Sequence, residues 1–176
     1  VALGRKPFIF QIVGYQNSGK TTLTEKLIER FTQEGQRVGT IKHHGHGGMP
    51  AFGDEQKDTF RHREAGALVT GVEGAGMLQI HARKEEWTLK DVVSLYEAFS
   101  MDVILIEGYK QEAYKKIVLI RSEEDLSLLH KLKNIICVIS WVPLSPIVSD
   151  AYPAFHIKDE QTYVEWLIER MRKSRE

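Results

Sequence analysis

Between the apolar run FIFQIV, residues 8–13, and a segment of helical period stands GYQNSGKTT, Gly14 to Thr22, whose residue types suit the capture of an anion. The spacing is Gly-x-x-x-x-Gly-Lys-Thr. Glycines at both ends let the backbone turn so that successive N–H groups face inward, and the helix that follows adds the positive end of its dipole. Within this pattern Lys20 reaches the β- and γ-phosphates of a nucleoside triphosphate, and the Thr21 hydroxyl joins the coordination of Mg²⁺. The loop residues Gly14, Gln16, Asn17, Ser18, Gly19, Lys20, Thr21 and Thr22 are therefore the expected nucleotide contacts.

Such a site needs a carboxylate near the metal, and MDVILIEGYK supplies Asp102 and Glu107. In a parallel α/β sheet the ligand lies beyond the carboxyl ends of the strands. Asp102 begins its strand and Glu107 ends it, about 16 Å away at 3.3 Å per residue. Glu107 is thus expected on the phosphate side. Asp58, at the start of the segment KDTFRHREAGA, is a second candidate, either holding Mg²⁺ through water or serving as a helix cap. Lys20, Glu107 and Asp58 form the expected catalytic set, and Thr21, Asp58 and Glu107 the expected metal set.

Three histidines, His43, His44 and His46, follow the apolar run RVGTIK, residues 37–42. Histidine-rich tracts bind transition metals. A stable zinc site requires about four fixed ligands, however, and these imidazoles stand among glycines with no cysteine nearby. The tract leaves the carboxyl edge of the sheet, so Lys42, His43 and His44 are read as cationic or donor groups beside a phosphate, with the metal reading kept open.

These residues need elements to position them. FIFQIV, a helix from about Thr21 to Gln33 and RVGTIK make a βαβ opening, the helix carrying Leu23, Leu27, Ile28 and Phe31 on one side and ending before Gly35. KDTFRHREAGA reads as a helix, and ALVTGVEG with GMLQIHAR as a hairpin. Thr88 and Asp91 resemble a capping box opening TLKDVVSLYEAF. DVILIEG, KIVLIR, IICVIS and AFHI read as strands, a short helix begins at Ser122 and Asp125, and EQTYVEWLIERMRK forms a last helix with Val164, Leu167, Ile168 and Met171 on one face. The alternation predicts an α/β fold: three layers, P-loop NTPase-like, with a mostly parallel sheet flanked by helices plus a β-hairpin insertion. The 176 residues are expected to form a single nucleotide-binding domain.

Composition narrows the partners. Lys+Arg and Asp+Glu both number 24, so no global basic field draws the chain to nucleic acid or an anionic membrane. The single cysteine, Cys137, lies in IICVIS and reads as a buried small side chain. No apolar run reaches spanning length and the first is too short for a signal peptide, which points to a cytoplasmic protein.

Taken in order, GYQNSGKTTLTEKLIERF, GTIKHHGH, KDTFRHREAGA, DVILIEGYK and KIVLIR resemble the MobB family, the molybdopterin-guanine dinucleotide biosynthesis adapter proteins, along nearly the whole chain. Specificity rests on IKHH, on Asp58 and Arg61 with EAGA, and on EGYK, which adds Arg61 and Lys110 to the expected ligand contacts. The resemblance implies a GTP- and Mg²⁺-binding protein with weak GTPase activity. Such a protein supports attachment of GMP to molybdopterin by a separate guanylyltransferase, acts as a homodimer, and has the molybdenum cofactor as a possible ligand. One departure stands out: Ser140-Trp141-Val142-Pro143 occupies the place where family members carry an aspartate near the guanine base, and no [NT]-K-x-D signature appears. Guanine preference thus comes only with the resemblance. Trp141 either packs on the base or belongs to the core or an interface.

Arg61, Arg63 and Gln16 are candidates for stabilising a transition state, though none has the setting of an arginine finger. The alternative function is a small-molecule kinase or ATP-dependent ligase on the same scaffold, for which an arginine-rich lid would be the signature. A pure interaction protein with a vestigial loop would bind no nucleotide.

Overall fold

The computed structural model describes residues 6–45 and 57–173; His46 lies outside them. Contacts divide the chain into two compact units, the larger running to His43 and resuming at Val92, the smaller spanning His44–Asp91.

The larger unit holds a six-stranded sheet in which every pairing is parallel. Its strands are β1 (Phe8–Val13), β2 (Val38–Lys42), β5 (Val103–Glu107), β6 (Lys115–Ile120), β7 (Ile135–Ser140) and β8 (Ala154–His156), in the order β2-β5-β1-β6-β7-β8. VILIE, KKIVLI and IICVIS are almost continuously apolar because both faces of a parallel sheet are covered. On one face Phe10, Ile12, Leu105, Leu119 and Ile139 pack with Leu23, Leu27 and Phe31 of α1 (Lys20–Gln33) and with Tyr163, Leu167 and Met171 of α6 (Glu160–Lys173). On the other, Val13, Val118, Ile120 and Val138 meet Leu128 and Leu129 of α4 (Ser127–Lys131) and Val148 of α5 (Pro146–Ala151). The three-layer α/β architecture is as expected. Helix α5 was not anticipated: Ser145 and Pro146 start it, but its six residues give too little periodicity to read.

Local signals hold where two independent residues agree. Gly35 closes α1 with φ +74°, the Gln36 N–H donating to the Phe31 carbonyl and the Gly35 N–H to Thr32, the paired bonds of a Schellman end. A 3₁₀ turn, Glu123–Leu126, leads into α4 from the Ser122–Asp125 capping box. β2 is an edge strand, and its Thr40 carbonyl accepts a hydrogen bond from the Tyr96 hydroxyl, which covers that edge. Tyr96 begins a 3₁₀ turn, Tyr96–Phe99, after α3 (Leu89–Leu95), and its ring lies where a Cβ on Gly39 would sit 2.7 Å away.

The connection from β5 to β6 carries no helix. Residues 108–114 cross over β1, held from below by two buried side chains at one register of the sheet. Gln11 donates to the carbonyls of Gly108, at 2.8 Å, and Tyr109. Lys116 donates to those of Glu112 and Tyr114.

The smaller unit contains α2 (Asp58–Glu64) and the antiparallel pair β3 (Val69–Gly74) and β4 (Met77–Ala82). Gly74 pairs with Met77 across Ala75-Gly76, whose φ values of 52° and 78° define a tight two-residue turn of the type favoured in hairpins. The expected capping box is present, the Thr88 N–H donating to Asp91 at 3.0 Å and the Asp91 N–H to the Thr88 hydroxyl at 3.2 Å. With the Lys84 ammonium 2.6 Å away, these donors hold the Asp91 carboxyl far below the usual carboxylate range. No helix among the described residues is long and apolar enough to cross a membrane.

Candidate nucleotide site

The loop from Gly14 to Gly19 joins the end of β1 to the start of α1, at the carboxyl edge of the sheet. Gly14 is required by space: a Cβ there would meet the Ser18 Oγ at 2.4 Å and the Leu119 carbonyl at 3.1 Å. Gly19 is required by conformation, with φ +97°, and Asn17 takes the left-handed region at φ 58°, which asparagine tolerates better than most residues.

Side chains fix the orientation of the loop's peptide groups. The Trp141 indole N–H donates to the Ser18 carbonyl at 3.0 Å, and its ring lies 3.6 Å from the position a Cβ on Gly19 would take. An Arg121 guanidinium N–H donates to the Asn17 carbonyl, and the Lys20 ammonium to the Tyr15 carbonyl at 2.7 Å. Carbonyls occupied in this way leave the amides of the first turn of α1, which have no partner inside the helix, to face an anion. Ser18 is fully buried, and its hydroxyl finds no hydrogen-bond partner among the described residues.

A pair of oxygen donors beside the loop is equally defined. The Thr21 Oγ1 lies 3.1 Å from Glu107 Oε2 and 3.3 Å from Oε1, bringing a hydroxyl and a carboxylate together as two hard oxygen donors. Lys42 Nζ stands 3.3 Å from Glu107 Oε1. Asp102, by contrast, is at the opposite end of β5 and pairs with Arg37 at 3.1 Å, so strand direction separates the two carboxylates as expected. Thr21 and Glu107 fit Mg²⁺ by donor type, and the ion would neutralise phosphate charge there.

Around these groups the larger unit places more polar side chains. Lys110 sits over the Tyr15 ring at 4.3 Å, a cation–π contact tying the crossover to the loop. His43 packs against Tyr109 with ring centroids 4.5 Å apart and planes tilted by 46°, and the Tyr109 φ of 51° follows Gly108 at 96°. Burial lowers the Lys20 ammonium from its ordinary value; Glu107 opposes the shift, and Lys110 and Lys42 add to it.

Of the expected residues, the larger unit therefore gathers Gly14, Asn17, Ser18, Gly19, Lys20, Thr21, Lys42, His43, Glu107 and Lys110. Gln16 and Thr22 are exposed on the same loop and helix start. His44, Asp58 and Arg61 belong to the smaller unit, where the Arg61 Nη1 is 3.8 Å from Asp58 Oδ1 in an exposed pair one helical turn apart. No cluster of three His, Cys, Asp or Glu suited to a metal appears among the described residues. Cys137 is buried, and desolvation pushes its thiol well above the ordinary range.

Sequence reasoning missed Arg121 and Gln11. Each carried a signal: a basic residue just past the carboxyl end of a buried strand, and a lone amide inside an apolar one. Trp141, which the sequence places on a base, in the core or at an interface, packs against the Gly14–Gly19 loop.

Residues 9–141 match the family model described as molybdopterin guanine dinucleotide synthesis protein B. The chain is 42% identical over 168 residues to a Bacillus subtilis protein named as a probable molybdopterin-guanine dinucleotide biosynthesis adapter protein, covering 95% of both chains. It is 30% identical to the Escherichia coli adapter protein of that name, covering 94% of both. Among solved structures, a MobB homologue from Bacillus stearothermophilus superimposes with a TM-score of 0.77 at 43% identity, covering 94% of this chain and 98% of the other.

Proposed function

The chain belongs to the molybdopterin guanine dinucleotide synthesis protein B family, and we propose that it is a GTP-binding adapter with weak GTPase activity that assists a partner guanylyltransferase in attaching GMP to molybdopterin. The observation that carries the nucleotide reading is the Thr21–Glu107 contact of 3.1 Å beside a loop whose carbonyls are engaged by Trp141, Arg121 and Lys20. An inward-facing set of amides, an ammonium group and paired oxygen ligands suit a triphosphate with its magnesium ion.

Each residue then has a task. The backbone after Gly14 and the start of α1 bind the phosphates, Lys20 neutralises the β- and γ-groups, and Thr21 with Glu107 holds the metal. Lys42, His43 and Lys110 line the same rim as further donors. Weak turnover accords with Arg121, which reaches the loop, being engaged by the Asn17 carbonyl rather than free to act as an arginine finger. The adapter role, the guanylyltransferase partner and a cytoplasmic homodimer come from the family.

Purified protein loaded with mixed nucleotides and mixed with the guanylyltransferase and molybdopterin tests both halves of the reading. Recovery of guanine nucleotide together with the transferase is the expected result. Brisk transfer of the γ-phosphate from ATP to a small acceptor, with no transferase retained, would favour a kinase or ligase instead.

A further inference from the structure

Lys42 ends β2 directly opposite Glu107, the last residue of β5, in the register of the parallel pair. Its ammonium lies 3.3 Å from the Glu107 carboxylate and 3.5 Å from the Thr21 hydroxyl, which are themselves 3.1 Å apart. Ammonium, hydroxyl and carboxylate thus close a triangle where two oxygen ligands of a cation converge. We propose that Lys42 is a tethered counter-cation that holds the Thr21–Glu107 oxygen pair in the nucleotide-free protein and is displaced by Mg²⁺ when the metal and triphosphate bind. This inference rests on the nucleotide-site reading above.

Three features favour displacement over shared occupancy. A magnesium ion sits about 2 Å from its ligand oxygens, so an ammonium bonded to the same oxygens would stand within a few ångströms of it, with like charges facing. The lysine is also free to leave: its side chain is 65% exposed while Glu107 is 12% exposed, and an ion pair open to water on one side contributes little. Finally, the backbone need not move. The His43 N–H donates to the Glu107 carbonyl at 3.0 Å, which fixes the main chain on the far side of Lys42 while its four-carbon stem swings. Lys42 therefore keeps the carboxylate from facing Lys20 alone and aligns it with Thr21 before the metal arrives.

A lysine in this role has a different signature from one that simply binds phosphate. In its role as stand-in cation it aids triphosphate binding most when magnesium is absent. The test measures GTP affinity by equilibrium dialysis in EDTA and in saturating magnesium, for the wild type, Lys42→Gln and Lys42→Arg. Lys42→Gln is expected to weaken binding in EDTA about two- to fivefold more than in magnesium, the size of an exposed charge interaction, with Lys42→Arg close to the wild type. Equal weakening in both conditions, or no change in either, would overturn the inference while leaving the nucleotide site intact. Absence of magnesium-enhanced GTP binding in the wild type would overturn the site reading and this inference together.

Discussion

At the scale of single residues, the phosphate loop is held from outside as much as from within. Glycine spacing and the lysine announce themselves in sequence because their chemistry is local. The Trp141 and Arg121 clamps do not, since they come from strand ends more than a hundred residues downstream. Trp141→Phe keeps an aromatic ring against Gly19 but removes the indole N–H from the Ser18 carbonyl. It should weaken nucleotide affinity about two- to tenfold, the worth of one neutral hydrogen bond. Unaltered affinity by titration would show that the clamp does not position the loop. Lys20 also gives a pH dependence with a definite sign. Burial lowers its ammonium below the ordinary lysine range, so it loses its proton earlier as pH rises, and nucleotide affinity should begin to fall at a lower pH than an unperturbed lysine would allow. Affinity measured across the alkaline range, with uptake of a fraction of a proton on binding near the inflection, checks this.

At the scale of elements, the crossover from Glu107 to Lys115 carries the proposed metal ligand, Glu107, and the Lys110 contact on one short segment. Gln11 is the tether on its Glu107 side. Gln11→Leu would remove two hydrogen bonds to the partly buried carbonyls of Gly108 and Tyr109, costing about 1–3 kcal/mol of stability by denaturant unfolding and reducing the magnesium dependence of nucleotide binding. A variant with wild-type stability and magnesium response would remove the tether from the account. This feature shows why some of the architecture was readable and some was not. The parallel strands VILIE and IICVIS were legible from continuous apolarity, and α1 and α6 from long amphipathic stripes. FIFQIV also read as a strand, but why it tolerates a glutamine became clear only when the tertiary path of residues 108–114 placed two carbonyls above it. The short α5 escaped for lack of length. Of the candidate site, the approach of Thr21 to Glu107 was legible because motif and strand direction agree, while Asp58 rests on resemblance and helix position alone.

At the scale of the whole molecule, the hairpin of the smaller unit leaves Val69, Leu78 and Ile80 more than half exposed on one face of the pair. An apolar strand face of this kind suits a partner surface, and the proposed homodimer would supply one from a second copy of the chain. Ile80→Lys should therefore shift the protein toward monomer in analytical ultracentrifugation with the larger unit still folded, whereas an unchanged sedimentation coefficient would place the dimer contact elsewhere. The central claim nevertheless concerns the larger unit: outward-held carbonyls, inward amides, Lys20 and the Thr21–Glu107 pair capture a nucleoside triphosphate with magnesium. Isothermal titration of GTP with magnesium into the wild type and into Lys20→Met tests it most directly. The account predicts one site per chain in the wild type and affinity about ten- to hundredfold weaker in the variant, the range for a charge-assisted hydrogen bond, with the melting temperature preserved. Equal binding by both proteins, or none by the wild type, would contradict it.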